Sequence, residues 1–316
     1  MVNSLASRQI VKPPALQPGD KVGLIAPASS FNREAFERGC RSLRAMGYEP
    51  VFSPDIFDRD LYFAGSAQRR LHELESMLQR DDVAALIGVR GGYGSNYLLE
   101  RVNFELFIQH PKIILGCSDL TTLLTAAVDR TGLVTFHGPM LAKDIAEGRF
   151  EESSWNHAFA ATPNWTIPAE GAEVLQAGQA QGRLYGGCLS LLVASLGTEF
   201  EVQTEGALLF IEDVAEKPYQ IDRMLMQLRL AGKFRGVRGF IFGEMLDCAQ
   251  PGRQDYTLQE VIARLLVEYK VPVVYGVRSG HVSGGNLTLP FGVEASLIAD
   301  ETGVTLKILE AATRIG

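Results

Sequence analysis

The first half of the chain alternates short, continuously apolar runs with stretches whose apolar residues recur every three or four positions. Residues 22–26 form an apolar run ending in Pro27-Ala28-Ser29, and a helical pattern over 33–46 follows and stops at Gly47. Val51-Phe52 predicts a second strand. Ser66 is placed to N-cap a helix running to 79, with Leu71, Leu74, Met77 and Leu78 at helical spacing. Residues 83–89 predict a strand that Gly91-Gly92-Tyr93-Gly94-Ser95 breaks before a short helix. A further strand at 113–115, a helix over 119–129 and a strand at 133–136 complete the pattern. Strands that are continuously apolar, each followed by a helix, predict a parallel sheet covered on both faces. Open sheets of this kind bind ligands beyond the carboxyl ends of their strands. The loops after Val89, Gly116 and Phe136 are therefore where chemistry is expected.

From about 150 to 180 the periodicity weakens into Ser, Trp, Pro and Gly, so a linker is expected over 161–180. It would separate an N-terminal domain, 1–160, from a C-terminal domain, 181–316. The second half predicts a helix at 189–196, a strand at 207–211, a helix at 221–230 and a strand at 239–242. A helix at 258–269 and a strand at 273–277 follow. Short strands at 287–289, 296–299 and 304–309 read as a meander. The expected fold class is α/β: an N-terminal parallel sheet with helices on both faces, plus a smaller mixed α/β C-terminal domain. No internal repeat is visible.

Composition narrows the function classes. Of 316 residues, 46% are hydrophobic and 21% charged, with 32 Gly and 14 Pro, which is an ordinary globular balance and excludes disordered or low-complexity chains. The net charge of -7, without a Lys/Arg-rich run, argues against nucleic acid and anionic membrane as partners. No apolar run reaches the roughly 20 residues of a membrane helix. Residues 1–14 lack the apolar segment of a signal peptide, so a cytoplasmic location is expected. Cys40, Cys117, Cys188 and Cys248 are scattered, with no CxxC and no His at metal spacing. Reduced cysteines and no metal centre are expected.

The sharpest local feature is Gly116-Cys117-Ser118-Asp119, a serine between a buried strand and a helix start. A tight strand-to-helix turn lifts a hydroxyl out of the sheet and points helix N–H groups at whatever it attacks. The plainer alternative is that Ser118 or Asp119 N-caps the helix. Leu120 stands where G-x-S-x-G would have its second Gly, which disfavours an ordinary α/β-hydrolase. Arg90-Gly91-Gly92-Tyr93-Gly94-Ser95 could bring backbone N–H groups against an anion. It has Tyr97 where G-x-G-x-x-G needs glycine, so a nucleotide loop is disfavoured. Among five histidines, His72 reads as surface, His110 and His157 as loop or irregular residues, and His137 and His281 as candidate bases. Glu212, after the strand at 207–211, is the candidate carboxylate, with Asp213 and Glu216 as alternatives. Ser118, Glu212 and His281 run in the order serine, acid, histidine, compatible with a triad.

The blocks 19–29 (GDKVGLIAPAS), 90–95 (RGGYGS), 116–119 (GCSD), 136–140 (FHGPM), 212–225 (EDVAEKPYQIDRML) and 280–286 (GHVSGGN) occur in an order that resembles the LD-carboxypeptidase family of serine peptidases. The resemblance spans about 15–310. It implies a flavodoxin-like or glutamine-amidotransferase-like N-terminal domain and a cytoplasmic homodimer that needs no cofactor. The implied reaction is removal of the terminal D-alanine of murein tetrapeptides at an L,D bond during peptidoglycan recycling. Carried over, the nucleophile falls on Ser118, the acid on Glu212 and the base on His281, with the backbone N–H groups of Gly92 and Asp119 as oxyanion donors. Cys188 stands where the family pattern suggests Asn. A sister branch resembles microcin C immunity proteins, hydrolases of aminoacyl-nucleotide analogues, and a non-catalytic cleft-binding protein is the alternative of another class.

Overall fold

The computed structural model describes residues 9–250, 252 and 255–316. Most of the stretch expected to lack an export signal, 1–8, lies outside the described residues. The first sheet contains β1 (Lys21–Ile25), β2 (Glu49–Val51), β3 (Val83–Gly88), β4 (Ile113–Gly116) and β5 (Thr135–His137), with β12 (Leu289–Phe291) at its edge. The order is β12-β5-β4-β3-β1-β2. Strands β1 to β5 run parallel. Successive side chains leave a strand on opposite faces. Ile113 and Leu115 accordingly join one apolar cluster while Ile114 joins another, which α2 (Ala67–Gln79), α3 (Glu105–Gln109) and α4 (Thr121–Thr131) cover through Leu74, Phe107 and Leu124. On the other face α1 (Arg33–Ala45) contributes Phe36 and Leu43. Both faces are covered, which is why these strands read as unbroken apolar runs. The Ser66 side chain caps α2 by accepting from Arg69 N, as its position predicts.

The second sheet has the order β6-β14-β13-β8-β9-β10-β11-β7. Its centre is parallel: β8 (Gly178–Cys188), β9 (Ala207–Glu212), β10 (Gly239–Gly243) and β11 (Val273–Val277). The antiparallel flanks are β13 (Glu294–Asp300), β14 (Gly303–Ile308), β6 (Trp165–Ile167) and β7 (Glu173–Gln176). Helices α6 (Leu189–Ala194), α7 (Pro218–Leu230) and α8 (Leu258–Leu266) connect the parallel strands.

Two features differ from the sequence reading. The stretch 161–180 is not an irregular linker: it carries β6, β7 and the start of β8, and α5 (Glu152–Phe159) precedes it. β6 and β7 have only three and four residues, too few for a sustained period to mark them. The segment near 287–289 is not part of a C-terminal meander. Its strand, β12, crosses to the first sheet and pairs antiparallel with β5, Leu289 opposite His137. Pro290 fits there because an edge strand tolerates a missing N–H. This crossing makes one apolar cluster of both halves, in which Phe136 and Phe291 join Tyr185 and Phe210.

Candidate active site

Ser118 follows β4 after a single residue. A Cβ on Gly116 would lie 2.5 Å from Leu120 Cδ2, so glycine there lets the chain turn sharply into the single helical turn Ser118–Leu120 that leads to α4. The turn holds Ser118 at φ +58°, a left-handed conformation that costs a non-glycine residue about 1–3 kcal/mol and collects at functional sites. The capping alternative is not what the structure shows: the cap positions are Cys117 and Leu120, and neither caps with its side chain. The Asp119 carboxylate turns away from α4 and accepts from Gly94 N at 3.2 Å and Ser95 N at 2.7 Å.

That contact draws the glycine loop over the serine. A Cβ on Gly91 would fall 2.9 Å from Ser118 Cβ and 3.2 Å from Asp119 N. Gly92, at φ +92°, has no room for a Cβ, which would lie 2.5 Å from Ser29 Oγ. Ser29 Oγ in turn accepts from Tyr93 N at 3.0 Å. Beneath the loop lies a residue the sequence reading missed. Arg70, 1% exposed, donates through Nη1 to Pro27 O at 2.6 Å and Gly94 O at 2.7 Å, and through Nε to Gly65 O at 3.2 Å. Next to it, Glu73 accepts from Ala26 N at 2.7 Å and pairs with Arg69. The available signal was two charges, Arg70 and Glu73, sharing the buried stripe of α2 with Leu74 and Met77.

Glu212 ends β9 and is fully buried. A Cβ on Gly243 would sit 2.6 Å from its Cβ, and one on Gly280 would sit 2.6 Å from its Cδ, so two glycines make room for the carboxylate. His281 Nδ1 lies 2.7 Å from Glu212 Oε2, and His281 N donates to the same oxygen at 3.0 Å. Burial works to raise the Glu212 carboxyl, but the imidazoles of His137 and His281 outweigh it and hold the group well below the usual carboxylate range. Burial works to lower the His281 imidazole, but the hydrogen bond and charge of Glu212 raise it above its ordinary value. A buried, ionised Glu212 thus favours positive charge on His281.

His281 reaches this point because its loop spans the two sheets, leaving β11 of the second and entering β12 of the first. Asn286, fully buried and also missed as a site residue, pins the loop: its Oδ1 accepts from Gly280 N at 2.9 Å and its Nδ2 donates to Gly280 O at 3.0 Å. On the serine side, Thr121 at the start of α4 accepts from Cys188 N at 3.1 Å, and Cys188 stands opposite Glu212 in the β8–β9 pairing. The serine turn and the Glu212–His281 pair therefore share one corner, where the carboxyl ends of both parallel sheets meet.

The other candidates separate by their contacts. His137 is buried, with Nδ1 2.9 Å from Ser279 Oγ and Nε2 3.7 Å from Glu212 Oε1. Asp213 accepts from Ser190 N and Val214 N, each at 2.9 Å, and so fixes the first turn of α6. His157 stacks on Trp165, and His72 is exposed on α2. The described cysteines are buried thiols, and no group of three or more metal-ligating side chains occurs among the described residues.

Comparison with known proteins agrees with this architecture. Residues 22–138 match the LD-carboxypeptidase N-terminal domain and 181–297 the LD-carboxypeptidase C-terminal domain. The chain is 37% identical over 299 residues to a probable murein peptide carboxypeptidase of Bacillus subtilis (strain 168), covering 93% of each. It is 28% identical over 325 residues to the microcin C7 self-immunity protein MccF of Escherichia coli, covering 91% of this chain and 93% of that one. The crystal structure of a muramoyltetrapeptide carboxypeptidase from Oxalobacter formigenes superposes with a TM-score of 0.82 at 26% identity, covering 92% of this chain and 99% of that one. Two domain matches in order, one relative above 30% identity along nearly the whole chain and the shared two-sheet fold make this protein a member of the LD-carboxypeptidase family, and an enzyme of the serine-peptidase class.

Proposed function

We propose that the enzyme removes the terminal D-alanine from murein tetrapeptides by hydrolysing an L,D peptide bond, with Ser118 as nucleophile, His281 as base and Glu212 as its orienting acid. The observation that carries this reading is the 2.7 Å contact between His281 Nδ1 and a buried Glu212, at the corner that also holds the Ser118 turn. With Nδ1 held by Glu212, His281 Nε2 is the ring nitrogen free to accept a proton. In the proposed reaction it takes the Ser118 hydroxyl proton as Oγ attacks the carbonyl carbon, and the carbonyl oxygen takes the negative charge. The N–H groups of Gly92 and Asp119 stabilise that oxyanion. Collapse breaks the C–N bond, His281 passes its proton to the departing D-alanine amine, and the peptide remains as an ester on Ser118. Water then attacks the ester, giving its proton to His281. The shortened peptide leaves as a carboxylate and the Ser118 hydroxyl is restored. Glu212 stays ionised throughout and stabilises the imidazolium.

Mass spectrometry of purified murein peptides before and after incubation tests this reading. The tetrapeptide should lose one D-alanine with wild-type protein and stay intact with Ser118→Ala. Turnover by well-folded Ser118→Ala protein overturns the mechanism. Release of an amino acid from an aminoacyl sulfamoyl adenosine, with the tetrapeptide untouched, would move the enzyme to the immunity branch. A cytoplasmic homodimer belongs to the same proposal, and sedimentation analysis reads its mass.

A further inference from the structure

The proposed triad leaves one fully buried polar side chain of the corner without a role. His137 ends β5 with its ring packed against Phe210 and Phe291, at centroid separations of 5.2 and 5.4 Å. Its Nε2 faces Glu212 Oε1 at 3.7 Å, and neither atom has a hydrogen-bond partner among the described residues. Glu212 Oε2, in contrast, receives both donors of His281. A fully buried, ionised carboxylate with one oxygen unmatched is costly, so the group opposite Oε1 matters.

The protons can be counted. Ser279 Oγ has a single hydrogen and three neighbours able to accept it, His137 Nδ1 at 2.9 Å, Leu287 O at 3.0 Å and His137 O at 3.5 Å. If the hydroxyl donates to Nδ1, a neutral His137 must carry its proton on Nε2. If it donates to either carbonyl, Leu287 O or His137 O, Nδ1 carries a proton, and Nε2 must carry a second one or present a lone pair to the carboxylate. The lone-pair arrangement sets two acceptors face to face at a fully buried position. Both remaining arrangements put a proton on Nε2.

We propose that His137 is a positioning residue for the reaction: its Nε2–H is the partner of Glu212 Oε1, so that the carboxylate is held from both sides and Oε2 stays aimed at His281 Nδ1. At 3.7 Å the contact is electrostatic, and a sub-ångström ring shift brings it to hydrogen-bond length. The two histidines have opposite connections: His281 hangs from the loop out of the second sheet, while His137 is fixed in the first. Glu212, from the second sheet, is thus registered against the first, where Ser118 is built.

The inference rests on the Glu212–His281 reading, but its first test does not involve turnover. In protein with 15N-labelled histidines, assigned by the signal lost in His137→Gln, the His137 Nε2 shift should be that of a protonated nitrogen. A bare Nε2 beside a protonated Nδ1 overturns the proposal. The second test separates positioning from packing. His137→Leu fills the volume without a donor and should lower kcat by roughly tenfold or more with KM little changed, as loss of an orienting partner does. His137→Gln, whose amide can donate toward Oε1, should recover to within about threefold of wild type. Equal kcat in the folded Leu and Gln variants overturns the proposal, and if the Leu variant does not fold, the ring-nitrogen shift decides. Failure of the triad itself would show separately, as turnover by Ser118→Ala protein.

Discussion

Ser118 sits in a backbone conformation that favours glycine, at φ +58°, and this separates its effect on stability from its effect on turnover. Ser118→Gly should melt no lower than wild type, because the strain of about 1 kcal/mol or more is relieved. The same variant should lose about 10⁴-fold or more in kcat, because the proposed nucleophile is gone. A thermal melt beside an assay checks both; a marked drop in melting temperature would mean the hydroxyl holds the turn together. Glu212→Gln keeps the shape and removes the charge, and kcat should fall by about 10⁴ with KM little changed. It should also move the pH profile. His281 must be neutral to accept a proton, and in the wild type burial lowers its pKa less than Glu212 raises it. The kcat/KM of the wild type should therefore fall as pH drops through a value above the ordinary imidazole range. In Glu212→Gln that limb should move to lower pH. A limb unmoved by the substitution would remove His281 from the base role.

At the scale of elements, α2 shows how a helix distant from the chemistry shapes it. Its cap, apolar stripe and length were legible in residues 66–79, because local spacing decides them. The partners of Arg70 were not legible, because they are backbone carbonyls of Pro27, Gly65 and Gly94, up to 43 residues away. Arg70→Met should keep much of the packing but leave those carbonyls without their donor. A loss of about 3 kcal/mol or more in denaturant unfolding is expected. Because the 91–94 loop lies against Ser118, kcat should fall as well. A variant with lowered stability but full kcat would show that the loop keeps its place without the clamp. The Gly88 and Gly116 positions make the same point from the other side: each would push a Cβ to within 2.5 Å of Leu120 Cδ2, a clash that exists only once β3, β4 and the serine turn have packed.

For the whole molecule, β12 is the decisive element. It carries the chain back into the first sheet before β13 and β14 return to the second, and it joins strands of both sheets in one apolar cluster through Phe136, Phe210 and Phe291. The two halves should therefore unfold together: calorimetric and van't Hoff enthalpies should agree in a single transition, and two separate transitions would contradict the shared core. Phe291→Ala, at a fully buried position, should cost about 3–5 kcal/mol and reduce turnover with it, since the His281 loop is anchored by the next strand. The sequence by itself determined the parallel first sheet, its helices, the candidate serine at a strand-to-helix turn and the family, because continuous apolar runs, caps and short motifs are local. It did not determine that 161–180 pairs as strands, that β12 changes sheets, or that Arg70 lies under the glycine loop and that Asn286 and His137 lie against the Gly280–His281 loop and Glu212. Those depend on which backbone groups and oxygens lie opposite one another after folding. Glu212 illustrates the division: a carboxylate after an apolar strand is visible in the sequence, but burial between His137 of the first sheet and His281 of the loop joining the two sheets is decided by the tertiary structure alone.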